Sequence, residues 1–339
     1  MGDMFRVMLL RRQWHRHRRN AFAVCFVIAS LTASAASLGV TWAHGPRTTK
    51  TARPSSGGPV DSAAADGAQD DLLIVGAGVL GRKIGIAWRK RHPSARILAV
   101  TRSEKSHSML RCASLEAVTA EELAQGPLVS FRHVVFCAPP SAAAELPGGY
   151  EAMAAQAIEY WAGAPAGGGC VFTSSGGVIA EVAGWVDEQS ATVDSPRGES
   201  ILAAERRVRG AGGAVLRLAG LYDIDRGAHA YWLRAGLVQR SPDSTLNLLH
   251  YDDAAGAVVA ALSSGAPARG ELFLVSDGIP VSVRSICEAA LRCQLFENLE
   301  MPRFEGDGGG NKIYDTGRIR AKLGWSPRIG SFSEFMGRQ

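Results

Sequence analysis

Leu72-Leu73-Ile74-Val75 runs directly into Gly76-Ala77-Gly78-Val79-Leu80-Gly81, and this stretch decides the fold. Four consecutive apolar residues, two of them β-branched, suit a strand buried on both faces. The chain must then turn sharply, which Gly76 tolerates because it has no Cβ. Gly78 lets a bulky anion approach the backbone, and Gly81 lets the next helix pack closely on the strand. A helix starting at Val79 aims unpaired N–H groups and the positive end of its dipole at this turn. That arrangement cradles a pyrophosphate.

The surroundings match a dinucleotide-binding βαβ unit. Residues 79–91 read as a helix, and Arg96-Ile97-Leu98-Ala99-Val100 supplies a second strand within the usual ~30 residues. An NAD-preferring site places a carboxylate at the end of that second strand, about 20 residues after the last glycine. Here Thr101 and Arg102 stand in its place. With no carboxylate to repel a 2′-phosphate and a guanidinium to bind one, the expected cofactor is NADP, with NAD the alternative.

Farther along, strands and helices alternate. Short helices are expected over 104–111 and 115–123, and a strand over 133–138 stopped by Pro139-Pro140. A helix over 150–162, the strand Cys170-Val171-Phe172-Thr173, a helix over 198–209 and a strand over 214–218 follow. The alternation predicts an α/β, Rossmann-type doubly wound parallel sheet with helices on both faces. Ligands bind outside the carboxyl ends of such strands, so Gly76, Thr101, Ala138, Ser174 and Leu218 should border one crevice. Past Tyr222 the pattern is less regular. A helix is expected over 228–237 and a strand over 246–249. A helix capped by Asp252 or Asp253 should run to 262, followed by a strand over 271–275 and helices over 281–291 and 319–323. The chain thus divides into a leader and linker (1–70), a nucleotide-binding domain (71–222) and a mixed C-terminal part with a smaller substrate lobe (223–339).

The formal net charge is +5, yet residues 1–70 carry nine Lys+Arg and four Asp+Glu, which leaves 28 of each in the remainder. The globular part is neutral, against a non-specific nucleic-acid binder. The six cysteines include no CxxC spacing, so neither a disulfide framework nor a zinc site is indicated. The N-terminus gathers six arginines before an uncharged run over 21–43. A basic start, an apolar run and Ala33-Ser34-Ala35 read as a signal peptide, and the run is also long enough to span a bilayer if uncleaved. The following 36–60 has basic residues but no acidic one, as a transit peptide does. The expected destination is a plastid through a bipartite leader; the alternative is a signal-anchor of the secretory pathway. Membrane contact is expected only through this segment.

Taken in order, GAGVLG, Thr101-Arg102, Cys137-Ala138-Pro139-Pro140, Phe172-Thr173-Ser174-Ser175, Arg217-Leu218-Ala219-Gly220-Leu221-Tyr222, His250-Tyr251-Asp252-Asp253 and Leu323-Gly324-Trp325-Ser326-Pro327 form a pattern. It resembles the extended short-chain dehydrogenase/reductases, the NAD-dependent epimerase/dehydratase superfamily, over about residues 71–330. The likeness is to the atypical branch with GxGxxG. It implies that Ser175 binds the reacting oxygen of a small-molecule, nucleotide-sugar-like substrate and that Ser174 lies near the nicotinamide ribose. It also implies cofactor contacts from Gly76, Gly78, Val79, Leu80, Gly81, Thr101, Arg102, Ala138 and Pro139.

One departure matters for chemistry. The family's Tyr-x-x-x-Lys falls on Pro196-Arg197-Gly198-Glu199-Ser200-Ile201, with Arg197 at the tyrosine and Ile201 at the lysine. Arginine stays protonated and isoleucine carries no charge, so neither can do the proton-transfer work. Tyr222 is then a candidate replacement acid. Two functions compete: an NADP-dependent oxidoreductase or epimerase with altered acid/base residues, and a non-catalytic nucleotide-binding regulatory or assembly module. Some plastid relatives bind RNA, a third and less favoured option.

Overall fold

The computed structural model describes residues 70–144, 146–308 and 310–339; the leader expectations fall on residues outside this range. Seven strands build the central sheet: β1 (Leu72–Val75), β2 (Ile97–Thr101), β3 (Glu116–Thr119), β4 (His133–Phe136), β5 (Cys170–Ser175), β6 (Ala214–Leu218) and β7 (Leu272–Val275). They pair in the order β7-β6-β5-β4-β1-β2-β3, every pair parallel. This is the α/β, Rossmann-type doubly wound sheet that the alternation predicts. The strand order reverses between β1 and β4, which opens the crevice at their carboxyl ends.

Helices α1 (Val79–Arg91) and α4 (Tyr251–Ser264) cover one face, α2 (Gly149–Glu159) and α3 (Pro196–Gly210) the other. Side chains alternate between the two layers with the period of a strand. Leu72 and Ile74 meet Ile84 and Trp88 of α1 and Val258 of α4. Leu73 faces the opposite layer, with Tyr150 of α2 and Ala204 and Val208 of α3. Burial on both sides is why β1 reads as an unbroken apolar run. Truncating a fully buried ring such as Phe136 or Phe172 to alanine costs ~3–5 kcal/mol.

Three local expectations are corrected. Residues 115–123 form no single helix: edge strand β3 comes first, and the helix Ala120–Gln125 starts only after it. Thr119 makes the break with a capping box, its Oγ1 accepting from the Glu122 N–H (3.1 Å) while the Glu122 carboxylate accepts from the Thr119 N–H (2.7 Å). An edge strand with half-exposed residues lacks the apolar pattern that marks a central one. Residues 246–249 split into Thr245–Leu246 and Leu248–His250, interrupted at Asn247. Neither Asp252 nor Asp253 caps α4. His250 does, its Nδ1 accepting from the Asp252 N–H (3.1 Å), and buried Asp253 instead accepts from the N–H groups of Arg328 (2.8 Å) and Ile329 (3.1 Å).

Beyond Tyr222 the chain completes the sheet with β7 and builds an apolar cluster from Tyr222, Leu233, Val283, Ile286 and Phe332. The strand Lys312–Tyr314 returns to pair in parallel with Gly184–Val186, in the segment after β5. Among the described residues no helix is long and apolar enough to cross a membrane.

Candidate functional site

The three glycines of the first turn have three different surroundings. Gly76 sits at φ +98°, and a Cβ there would lie 2.3 Å from the Ala138 nitrogen, so the turn packs directly on the end of β4. A Cβ on Gly81 would lie 2.8 Å from the Gly76 carbonyl oxygen, so α1 also packs closely. Gly78 is the N-cap of α1, and a Cβ there meets nothing within 4 Å. Close packing explains the outer two glycines and leaves the middle one open among the described residues. The first turn of α1 carries no acidic residue and no side-chain cap, so the N–H groups of Val79, Leu80 and Gly81 remain available to an anion. These residues fit the pyrophosphate of a dinucleotide. At the facing edge, Tyr150 donates to the Ala138 carbonyl (2.6 Å), Cys137 donates to the Gly76 carbonyl (3.1 Å), and Pro139 is exposed at the rim. Burial pushes the Cys137 thiol up to about 12, so it stays protonated and structural.

At the end of β2, Thr101 and Arg102 part ways. The Thr101 hydroxyl is engaged inward, 2.8 Å from His107 Nε2 and donating to the Ser103 carbonyl (3.0 Å). Arg102 is exposed and forms no ion pair among the described residues.

Ser174 and Ser175 point to different places. Buried Ser174 donates to Glu205 Oε1 (2.6 Å), and Arg217 binds the same carboxylate through Nε (3.0 Å) and Nη2 (2.7 Å). Ser174, on β5, is thereby locked to α3 and β6 beneath the crevice floor. Exposed Ser175 accepts from the Gly177 N–H (3.1 Å) and lines the crevice. Arg197 lies exposed in the first turn of α3, and Ile201 is buried in the apolar layer. Tyr222 is 1% exposed, in edge contact with Phe332 (4.9 Å) and His250 (5.3 Å). Its hydroxyl has no partner among the described residues, and burial, reinforced by Asp277, pushes the phenol well above its usual value. It does not line the cavity beside Ser175. Burial likewise lowers His250 despite nearby Asp252 and Asp223.

That cavity, about 350 Å³, lies at the carboxyl ends of β5 and β6. Besides Ser175 its wall includes Trp232, Arg240, Asn247, Lys312 and Tyr314, none of them singled out by the sequence motifs. Arg240 has no ion pair among the described residues. Asn247 clamps the returning strand, its Nδ2 donating to the Lys312 carbonyl (2.8 Å) and its Oδ1 accepting from the Tyr314 N–H (3.0 Å). A polar Asn247 within the apolar run Leu246–Leu249 is the sequence signal for this clamp. A larger cavity, about 760 Å³, flanks edge strand β3 between Arg89, Arg96 and Arg111. It is away from the strand ends where the glycine turn and Ser175 lie, so its size does not make it the site.

No protein-family profile matches the chain, and no curated protein matches it in sequence. Solved structures do match in fold. A functionally unknown conserved protein from Silicibacter pomeroyi is 21% identical, with a TM-score of 0.62 over 78% of this chain and 96% of its own. UDP-glucuronic acid 4-epimerase from Bacillus cereus, solved in complex with NAD, is 15% identical, with a TM-score of 0.64 over 79% and 96%. UDP-glucose 4-epimerase from Thermotoga maritima, solved with UDP-glucose, is 17% identical, with a TM-score of 0.60 over 79% and 96%. At these identities the likeness establishes a shared fold.

Proposed function

We propose that the protein binds NADP and a nucleotide-sugar-like small molecule, as an epimerase/dehydratase-like oxidoreductase whose usual acid/base pair has been replaced. The carrying observation is Gly78: an open position at the bare N-terminus of α1, between two glycines required by packing. The epimerase neighbours are solved with NAD and UDP-sugars, which supports a nicotinamide cofactor and a sugar nucleotide here. The cofactor would supply reversible hydride transfer. The chain's own residues would hold the phosphates at Val79, Leu80 and Gly81, and the ligand against Ser175. Trp232 offers an aromatic face for a base or sugar and Arg240 a cation for a phosphate.

Exposed Arg102 favours NADP over NAD. Charge-assisted hydrogen bonds to a 2′-phosphate are worth roughly 1.5–3 kcal/mol each, about ten- to a hundredfold in affinity. Calorimetric titration should therefore show NADP preferred by that factor, and Arg102→Ala should abolish the preference. Equal affinities in the wild type would defeat the assignment. The exposed Arg197 and the buried Ile201 support a second reading, a binding module without turnover. Assays with UDP-glucose and UDP-glucuronic acid separate the two. The leader is proposed to direct the protein to a plastid; a fluorescent fusion of residues 1–70 that stayed cytosolic would refute this.

A further inference from the structure

The strand Lys312–Tyr314 brings a tyrosine and a lysine to the cavity wall beside Ser175. They are two residues apart on one strand, so both side chains project from the same face. Tyr314 is 6% exposed, and its phenol lies across the end of β5: a Cβ on Gly176 would come within 2.4 Å of Tyr314 Oη. The lack of a side chain at Gly176 makes room for that hydroxyl next to Ser175. Among the described residues no protein group hydrogen-bonds Tyr314 Oη, and Tyr314 lines the cavity. It therefore retains access to the cavity.

Lys312, 7% exposed, donates through Nζ to the Ile179 carbonyl (2.7 Å) and pairs with Glu181 (3.1 Å). An ammonium carries three donors, so one N–H remains for a ligand. Asn247 fixes the backbone of both residues. Arg197 and Ile201 leave the α3 side of the crevice without a proton-handling group, while Tyr222 is sealed in an aromatic cluster.

We propose that Tyr314 is the proton-handling hydroxyl of this cavity, with Lys312 beside it as an oxygen ligand, supplied by the C-terminal segment in place of α3. The inference rests on the ligand-binding reading above. Tyr314 Oη donates to a hydroxyl or carbonyl oxygen of the ligand held at Ser175. When the carbonyl carbon of the ligand gains a hydride from a reduced nicotinamide, the C=O π pair moves onto the oxygen, the phenol O–H breaks, a new O–H forms on the ligand, and the phenolate stays behind. Burial and Glu181 oppose that phenolate, whereas the Arg217 charge favours it. Proton return reverses the step.

The test labels the full-length protein with 3-fluorotyrosine. Six tyrosines give six fluorine resonances, and the one missing from Tyr314→Phe is Tyr314. NADP and UDP-glucuronic acid are the probes. The Tyr314 resonance is expected to shift when both are bound, and its pH dependence to change with them, which a merely structural tyrosine would not show. Calorimetry should find UDP-glucuronic acid bound about tenfold more weakly by Tyr314→Phe, with NADP affinity within about twofold of wild type. Tyr231→Phe, at an exposed position, should bind both probes as wild type does. Bound probes with an unmoved Tyr314 resonance, or equal affinity in Tyr314→Phe, overturn the assignment while leaving the ligand reading intact. Failure of the wild type to bind either probe overturns that reading and the inference with it.

Discussion

Substituting Gly78 by alanine separates function from packing. Its φ of −75° is open to any L-residue, and the added methyl meets no protein atom within 4 Å. Two small effects on stability oppose each other. Alanine caps a helix less well than glycine, a loss of roughly 0.5–1 kcal/mol. It also restricts the unfolded chain, a gain of roughly 0.4–1 kcal/mol. The net change should stay within about 0.5 kcal/mol. Binding should suffer far more, because the methyl projects where a phosphate must meet the backbone. Losing one charge-assisted hydrogen bond of roughly 1.5–3 kcal/mol weakens NADP about ten- to a hundredfold. Gly76→Ala is the contrast. There φ is +98° and the methyl would lie 2.3 Å from the Ala138 nitrogen, so strain of ~1–3 kcal/mol adds to the clash. Urea denaturation and cofactor fluorescence titration of both variants read the two quantities. A Gly78→Ala protein that is destabilised like Gly76→Ala, or that binds NADP like wild type, would refute the reasoning.

Two further predictions concern buried charge. Burial raises Asp277, with Asp253 adding to it, to about 7 from the usual 3.8, and its Oδ2 has no partner among the described residues. The folded state therefore holds a proton that the unfolded state releases, so this group's contribution to stability declines as pH rises from about 4 through about 7. At ~1.4 kcal/mol per pH unit the full effect is about 4 kcal/mol, and Asp277→Asn should flatten the decline in urea midpoints measured across that window. In the Ser174–Glu205–Arg217 network, Glu205→Ala leaves a buried guanidinium unpaired and should cost ~3–5 kcal/mol by urea denaturation. The double change with Arg217→Met should recover part of that loss.

Much of the sheet was legible because its strands are buried on both sides and announce themselves by continuous apolar runs such as Leu72-Leu73-Ile74. Strand β3 was hidden because an edge strand lacks that signature and Glu116 and Thr119 are polar. The glycine turn was legible because Gly76 and Gly81 answer close packing and Gly76 also a positive φ, requirements readable from residue type. The cavity was not. Lys312, Tyr314, Arg240 and Asn247 lie far from Ser175 in sequence, and each alone is an ordinary polar residue. Only tertiary pairing with Gly184–Val186 gives the first two their position. Ser174 shows the opposite limit: the motif names it beside Ser175, yet its hydroxyl belongs to a buried ion pair.

The late return of Lys312–Tyr314 also orders the birth of the molecule. Six of the seven sheet strands exist once synthesis passes Leu218, and the glycine turn is built from residues near the beginning of that stretch. The ligand wall waits almost a hundred residues longer. Closing a loop of that reach, from Gly184 to Lys312, costs on the order of 4 kcal/mol in chain entropy before any contact offsets it. A nascent chain thus carries the glycine turn long before the wall of the Ser175 cavity is made. A chain cut short before Lys312 lacks that wall.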